Sequence, residues 1–560
     1  MTAASTVDTS AAEPSVPRYR RPSTWVWVAI VATLALYAAL AWRRRWMSDD
    51  GLLVLRTVRQ ILAGHGPVFN VGERVEASTS PLWTWLLAGA GGITGGALEW
   101  LAVVLGLVCA VGGLFFGLDG ARRLYGGATV VPAGGLVVCA LPPFRDFATS
   151  GLETGLALLW IGLTWWLLVR GKAPVATAVV LGLGPLVRPD LALFSIVAFA
   201  ALMLLRRPGV RRGAAWLGAG LVLPLAYEVF RMGYYGLLVP NTALAKEAGN
   251  ANWARGFDYL LDLVTPYYLW LPLVLLAVAA ALTRRSRILT LAPVLAAVLL
   301  TVYVVRVGGD FMHGRMLLPA LFSLLLPVMA VPLTRQTAAL LTAVAVWAVA
   351  AAGWLRVPYA NEHLSTGVTD ERAYWSWDTG NAHPVLASDF LGQPVMRAAV
   401  GTVDATRAPA VLVYSYDEKR WYAFPTDRPY VTMAADSMGA ISNLVSLDVR
   451  IHDGYGLASD LAAHSVSIPG GRPGHSKWLV ASWEIADAGR GDVATDGQPH
   501  VFDPAEIDAA RTALRCPDVQ DVLASTRTPL TFSRFVDNFT GAAGRTQIRF
   551  DRDPRAAAAC

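Results

Sequence analysis

The stretch from Thr24 to Gly51 reads TWVWVAIVATLALYAALAWRRRWMSDDG, an uncharged apolar run followed at once by three arginines and two adjacent carboxylates. Trp25 to Trp42 has the composition and length of a membrane helix, which needs about 20 mainly apolar residues to cross the hydrocarbon core. A secretory signal is the competing reading, because Arg18, Arg20 and Arg21 precede the run and Ala39-Leu40-Ala41 has the look of a cleavage site. The run is longer than the roughly 7 to 15 apolar residues of a signal peptide and many similar runs follow, so it reads as an anchor.

The rest of the chain shares that character. Over 560 residues the mean hydropathy is +0.44, with 54% hydrophobic and 16% charged residues, against about a quarter charged in a soluble domain. These values exclude a water-soluble globule, and neither a collagen period, a disulfide-dense framework nor a disordered composition fits. Further apolar segments fall near 98–118, 128–143, 152–169, 174–187, 190–205, 213–231, 268–283, 288–305, 317–333 and 337–354. The expected fold class is a polytopic α-helical membrane protein with about 11 transmembrane helices.

Orientation follows from the loop charges. With the N-terminus in the cytoplasm, alternate loops carry Arg122/Arg123, Arg170/Lys172, Arg206/Arg207/Arg211/Arg212, Arg284/Arg285/Arg287 and Arg335, all on the side that the positive-inside rule requires. The parity holds only if Pro81 to Leu87 (PLWTWLL) lies at the outer surface, so residues 43–97 are expected to hold juxtamembrane helices outside the cell. The expected division is a transmembrane domain over 1–355 and an extracytoplasmic domain over 356–560. Charge changes sign between them: 28 Lys and Arg against 16 Asp and Glu in the first, 19 against 25 in the second. Topology accounts for the basic excess, so the lipid bilayer and not nucleic acid is the expected partner. The tail has ordinary polarity, turn signals and strand-like runs at 410–414 and 477–480, which read as a mixed α/β domain. Cys516 and Cys560 both lie there, where an oxidising compartment allows a disulfide, whereas Cys109 and Cys139 sit in spans and read as packing residues.

Acidic and basic groups collect in the outward loops. Asp49 and Asp50 stand at the outer end of the first span, where charge is costly and usually functional. Ser48 or Asp49 can also cap a helix whose Leu52, Leu55, Val58 and Leu62 share one face. Arg43, Arg44 and Arg45 violate the positive-inside pattern and are free for snorkelling or for an anionic headgroup or phosphate. Glu153 follows Arg145-Asp146; Arg188-Pro189-Asp190 joins two short spans; Asn241 and Lys246 follow Tyr234-Tyr235; Asp310, His313 and Arg315 share one glycine-rich loop. Together these segments describe a site for an anionic, phosphorylated ligand that enters from the lipid, within a cavity that short, Pro-interrupted spans can line. No P-loop, GxGxxG turn, HExxH or CxxC pattern is present. Lone His65 and His452 read as structural, and Trp375 and Trp377 as core or sugar-stacking residues. A transporter of lipid-linked sugars would call for matching inverted halves, and no such symmetry is visible.

Six segments carry a closer likeness: 43–87, PPFRDFATSGLETGL (142–156), LVRPDLAL (186–193), FRMGYYGLLVPNTALAKE (230–247), GGDFMHGRMLLP (308–319) and LDVRIHDGYGLASDLAAH (447–464). They resemble the mycobacterial arabinofuranosyltransferase B family, within the GT-C class of glycosyltransferases. The resemblance implies a GT-C fold and transfer of D-arabinofuranose from decaprenyl-phosphate arabinose to arabinan, forming terminal β-(1→2) linkages in arabinogalactan and lipoarabinomannan. It maps the essential acids onto Asp49 and Asp50. Lys246, Arg315, Arg188 and His313 are then the candidates for the donor phosphate, with Asn241, Asp310, Glu153 and Tyr235 as substrate contacts. A different sugar on the same kind of lipid is the nearest alternative. No cofactor is demanded; Asp49, Asp50 and Asp310 offer hard oxygens to a divalent cation, although no EF-hand-like loop occurs.

Overall fold

The computed structural model describes residues 23–560 except 127, 248, 284–285, 356–366, 416, 435–436, 470, 472–473 and 491–501. Its first helix, Thr24–Trp42, buries Val26, Ile30, Thr33, Tyr37 and Ala41, a three-to-four-residue stripe against the bundle, and leaves Trp25, Val28, Val31 and Leu36 exposed. Exposed aliphatic residues on a helix this apolar are what lipid contact requires. Four more described helices are long and apolar enough to cross a membrane, namely Leu98–Leu124, Pro189–Arg206, Val210–Tyr235 and Arg287–Arg306. Thr154–Arg170, Pro174–Val187, Trp270–Thr283, Arg315–Val328 and Ala338–Gly353 are shorter apolar helices.

Two helices approach closely because glycines face each other at a seven-residue spacing. A Cβ on Gly155 would stand 2.2 Å from the Gly106 carbonyl oxygen, and one on Gly162 would stand 2.5 Å from that of Gly113. Backbones in direct contact are the way membrane helices gain packing without a hydrophobic drive. The segment expected as a span over 128–143 differs from its neighbours. It forms only Ala133–Ala140, then an extended Leu141 and the short helix Pro142–Asp146. Pro142 and Pro143 explain the break: neither can donate to the preceding turn, and proline favours a helix start. PLWTWLL, expected at a surface, opens a longer helix, Pro81–Thr94, with Trp83 and Leu87 buried and Trp85 and Leu86 exposed.

The C-terminal region contains a four-stranded sheet. Strands β1 (Val130–Val131) and β2 (Val331–Pro332) form a separate small pair in the helical part. Strands β3 (Ala410–Ser415), β4 (Arg420–Pro425), β5 (Thr432–Ala434) and β6 (Arg450–His452) are ordered β4-β3-β5-β6. β3 and β4 form an antiparallel hairpin, whereas β5 and β6 continue in parallel. The strand expected at 477–480 is absent. Leu479 makes one backbone bond to Gly454, just past the end of β6, so no ladder remains for it to join. Helices Pro504–Ala513 and Pro517–Arg527 follow, and Cys516 is joined to Cys560 across 44 residues. The chain-entropy model gives such a loop about 4 kcal/mol of stabilisation.

Buried ions bind this region to the segment after the first span. Glu73 meets Arg450 at 2.8 Å and Arg527 at 3.2 Å, while both arginines reach Asp487. Arg56, fully buried on the helix Asp49–Leu62, donates to the carbonyls of Ser442, Ser446, Leu447 and Val449. Thiol titration of the denatured, unreduced protein is expected to find two free cysteines, Cys109 and Cys139, and all four after reduction.

Candidate active site

The acidic pair occupies the first turn of Asp49–Leu62, where the helix dipole favours negative charge. Ser48 caps this helix, accepting from the Gly51 amide at 2.9 Å and donating to the Ser150 carbonyl at 3.1 Å. Gly51 fits only as glycine, since a Cβ would lie 2.8 Å from that same carbonyl oxygen. Consecutive positions on a helix differ by about 100°, so the two carboxylates face different surroundings.

Asp49 turns toward the C-terminal region. Its Oδ1 accepts from the Ala440 amide at 2.8 Å and its Oδ2 from the Gly439 amide at 3.2 Å, at the start of the helix Met438–Leu444. Burial pushes the Asp49 carboxyl up to about 7, with Asp50 adding to the rise and the two amides opposing it. Asp50 faces the other way, into a small cavity shared with Ser78, Thr79, Glu153, Thr242, Lys246 and Arg315. Arg315 Nη1 lies 3.4 Å from Asp50, and Arg315 Nε lies 2.9 Å from Asp310. Burial works against the charge on Asp310, yet Arg315 beside it and Lys246 nearby hold its carboxyl below the usual range.

A second cavity of about 110 Å³ continues from the first and shares Lys246, Arg315, Glu153 and Thr242 with it. Arg188 and Asp190 line it, paired at 2.9 Å, with Glu153 at 3.9 Å from the same guanidinium. Tyr303 and Val307, at the end of the apolar helix Arg287–Arg306, form its wall. Two buried donors there, Arg188 Nη1 and Thr242 Oγ1, lack a protein partner among the described residues. Unfilled buried donors lose free energy unless a ligand or water meets them.

The structure thus gathers Asp50, Lys246, Arg315, Arg188, Asp310 and Glu153 around one pair of cavities. Three residues expected with them lie elsewhere. His313 Nδ1 meets Asp262 at 2.6 Å and its Nε2 meets the Tyr267 hydroxyl at 3.1 Å; the tight Gly314 turn points it away from Arg315. Asn241 donates to the carbonyls of Gly456 and Ser459, and Tyr235 to that of Pro67, so both secure neighbouring loops. As a cation site the three aspartates fit poorly: Asp49 is committed to backbone amides and Asp310 to Arg315. Among the described residues no group of three or more His, Cys, Asp or Glu side chains is placed to hold a metal ion.

Two features were not read from the sequence. Glu371 is buried, and Asp50, Arg315 and Asp49 are among the charges that act on it. A cavity of about 560 Å³ lies in the C-terminal region between Tyr414, Trp421, Trp478, His452 and Glu484. Ser437 and Ile441, from the same short segment whose amides hold Asp49, also line it. Their residues are scattered along the chain, hundreds of positions from the acidic pair, and in the sequence His452, Tyr414 and Trp478 read as structural or strand residues.

Apolar helices long enough to cross a membrane thus accompany a carboxylate and several cations gathered around one pair of cavities, the architecture of an integral-membrane protein with a charged site. Comparison with known proteins supplies the particular family. Residues 393–559 match the AftB family C-terminal domain. The chain is 39% identical to the terminal β-(1→2)-arabinofuranosyltransferase of Mycobacterium tuberculosis, covering 95% of this chain and 96% of that one. It is 37% identical to the enzyme of the same name from Corynebacterium glutamicum, covering 95% and 87%. No solved structure matches. The chain belongs to the terminal β-(1→2)-arabinofuranosyltransferase family and is a glycosyltransferase.

The two acids are expected to separate on substitution. Asp50→Asn should lower glycosyl transfer by about 100-fold or more in a protein of unchanged stability. Asp49→Asn, which keeps one carbonyl oxygen for the Ala440 amide, should lower the melting temperature and lose less activity. Transfer assays and thermal denaturation in detergent, run on the same preparations, check both.

Proposed function

We propose that this protein transfers D-arabinofuranose from decaprenyl-phosphate arabinose to the non-reducing ends of cell-wall arabinan, making the terminal β-(1→2) linkages of arabinogalactan and lipoarabinomannan. The observation that carries the reading is that Lys246 and Arg315 line both the cavity that holds Asp50 and the adjoining one walled by the end of an apolar helix at Tyr303 and Val307. A lipid phosphate whose chain stays in the bilayer can reach donors there. In this reading the spans form a GT-C bundle in the plasma membrane, with the N-terminus cytoplasmic. The site and residues 356–560 then face the extracytoplasmic side, as the loop arginines favour.

The residues divide the chemistry as follows. Lys246, Arg315 and the unfilled Nη1 of Arg188 hold the phosphate. As the bond from the anomeric carbon to the phosphate oxygen breaks, its electron pair stays on the phosphate, and Asp50 stabilises the positive charge that develops on the sugar. The acceptor hydroxyl bonds to that carbon and its proton passes to the departing phosphate. Departure and attack on one face, with Asp50 on the other, turn a β-linked donor into a β-linked product. No step in this scheme is assigned to a metal.

The larger cavity suits the acceptor. Burial pushes His452 down to about 4, which leaves it neutral at pH 7, and raises Glu484 well above the carboxylate range, which favours its neutral form. Glu484 Oε1, both ring nitrogens of His452 and Trp421 Nε1 are buried without partners among the described residues. Neutral hydrogen-bonding groups beside aromatic faces match an uncharged glycan, which offers hydroxyls at its edges and C–H groups on its faces.

Membranes supplied with synthetic polyprenyl-phosphate arabinofuranose and a short arabinan should yield a β-(1→2)-linked product. Transfer of mannose but not arabinofuranose from the matching lipid would reject the sugar assignment. Trp421→Ala should raise the KM for an oligomeric arabinan about tenfold and leave the donor KM unchanged, as initial-rate kinetics with each substrate varied will show.

A further inference from the structure

Glu371 opens the helix Glu371–Asp378, which Asp370 caps by accepting from the Ala373 amide at 3.0 Å. The residues before it are registered on the loop that carries Arg315. His313 N donates to Thr369 O at 3.0 Å and Thr369 N to Phe311 O at 2.7 Å, a parallel bridge between Met312 and Thr369. Glu371 itself is 6% exposed. Its Oε1 accepts from Trp375 Nε1 at 3.0 Å, and its Oε2 is buried with no hydrogen-bond partner among the described residues.

Several charged or titratable groups surround this carboxyl. Asp50 and Asp49 act on it from the helix Asp49–Leu62, and Arg315 from its loop. Asp146, Tyr267 and His313 line the narrow cavity on its other side, with Asp370 and Arg372 from its own segment. Arg44 is already paired to Asp146, His313 to Asp262 and Arg315 to Asp310. Among the described residues these cations and Arg372, which donates to the Arg44 carbonyl, have partners other than Glu371, and Asp50 is the first charged group acting on it. Two carboxyls whose charges both bear on one buried guanidinium, as those of Asp50 and Glu371 do on Arg315, do not both ionise readily.

We propose that Glu371 is a positioning residue that acts in its protonated form: neutral, it leaves Arg315 to Asp50 and the donor phosphate; ionised, it competes with that phosphate for the same cation. The inference rests on the polyprenyl-phosphate reading given above. Burial and the Asp50 charge push Glu371 up to about 8, so it is neutral at pH 7 and gains its charge as pH rises through that value. Donor affinity is therefore lost on the alkaline side.

The test compares the full-length parent with Glu371→Gln, which keeps the shape and an acceptor for Trp375 but cannot ionise. At pH 7 the variant should keep its transfer rate within about threefold of the parent. In the parent the donor KM should rise through about pH 8, and in the variant that rise should vanish while kcat changes little. Loss of transfer by about 100-fold in folded Glu371→Gln at pH 7 would show that the ionised form is needed and overturn the proposal. An unchanged alkaline rise in the variant would do the same. A second readout needs no donor: the protonated-carboxyl stretch in the infrared spectrum of the parent minus that of the variant, expected at pH 7 and lost on the alkaline side. A missing difference band overturns the Glu371 assignment whatever the substrate is. A band present in a parent that transfers no arabinofuranose supports the protonated Glu371 and rejects the sugar donor alone.

Discussion

A guanidinium buried without a carboxylate fixes much of this structure. Arg56 is fully enclosed, and although burial lowers its pKa to about 10 it stays charged at neutral pH, its donors met by four carbonyls of the 442–449 segment. Losing those contacts leaves bare donors on a buried guanidinium. The segment must therefore wrap the helix Asp49–Leu62 in one register. Asp49 lies seven residues before Arg56, almost two full turns, and so presents to the same side. The same docking that satisfies Arg56 brings the Gly439 and Ala440 amides onto Asp49.

The division of labour between the adjacent acids follows from that geometry. Asp49 is held by a domain contact, and Gly439 packs so tightly on its backbone that a Cβ would fall 1.9 Å from the Asp49 carbonyl oxygen. Asp50, rotated by about 100°, is left to the cation-lined cavity. One carboxylate joins the C-terminal region to the helix and the other addresses the reaction. The Met438–Leu444 helix links both to the aromatic cavity through Ser437 and Ile441, so the acceptor side and the acid share one short element.

What could be read from the sequence depended on how local its cause was. Apolar runs identify helices because lipid sets both length and composition, and the strand Ala410–Ser415 is visible from its own residues. The break after Ala140 depends on two prolines that an apolar average conceals. Asp49 and Asp50 stand out in the sequence, but their different orientations depend on amides 390 and 391 positions away. His313 is two residues from Arg315, yet a partner on a distant helix, Asp262, turns it aside. Glu371 gives no signal in sequence because its neighbourhood is assembled from three separate segments.

Charge in the cation-lined cavity is nearly balanced before any donor arrives. Arg315 is matched by Asp310 and Arg188 by Asp190, which leaves Lys246 facing Asp50 and Glu153. Net field therefore contributes little to holding a phosphate; directed donors such as Arg188 Nη1 and Thr242 Oγ1 must do so. In a pocket so finely matched, one more negative charge weighs heavily, because the low local dielectric strengthens each repulsion. A carboxyl placed beside Asp50 is tolerable there only if it keeps its proton. The Glu371 oxygen left without a partner among the described residues agrees with that condition.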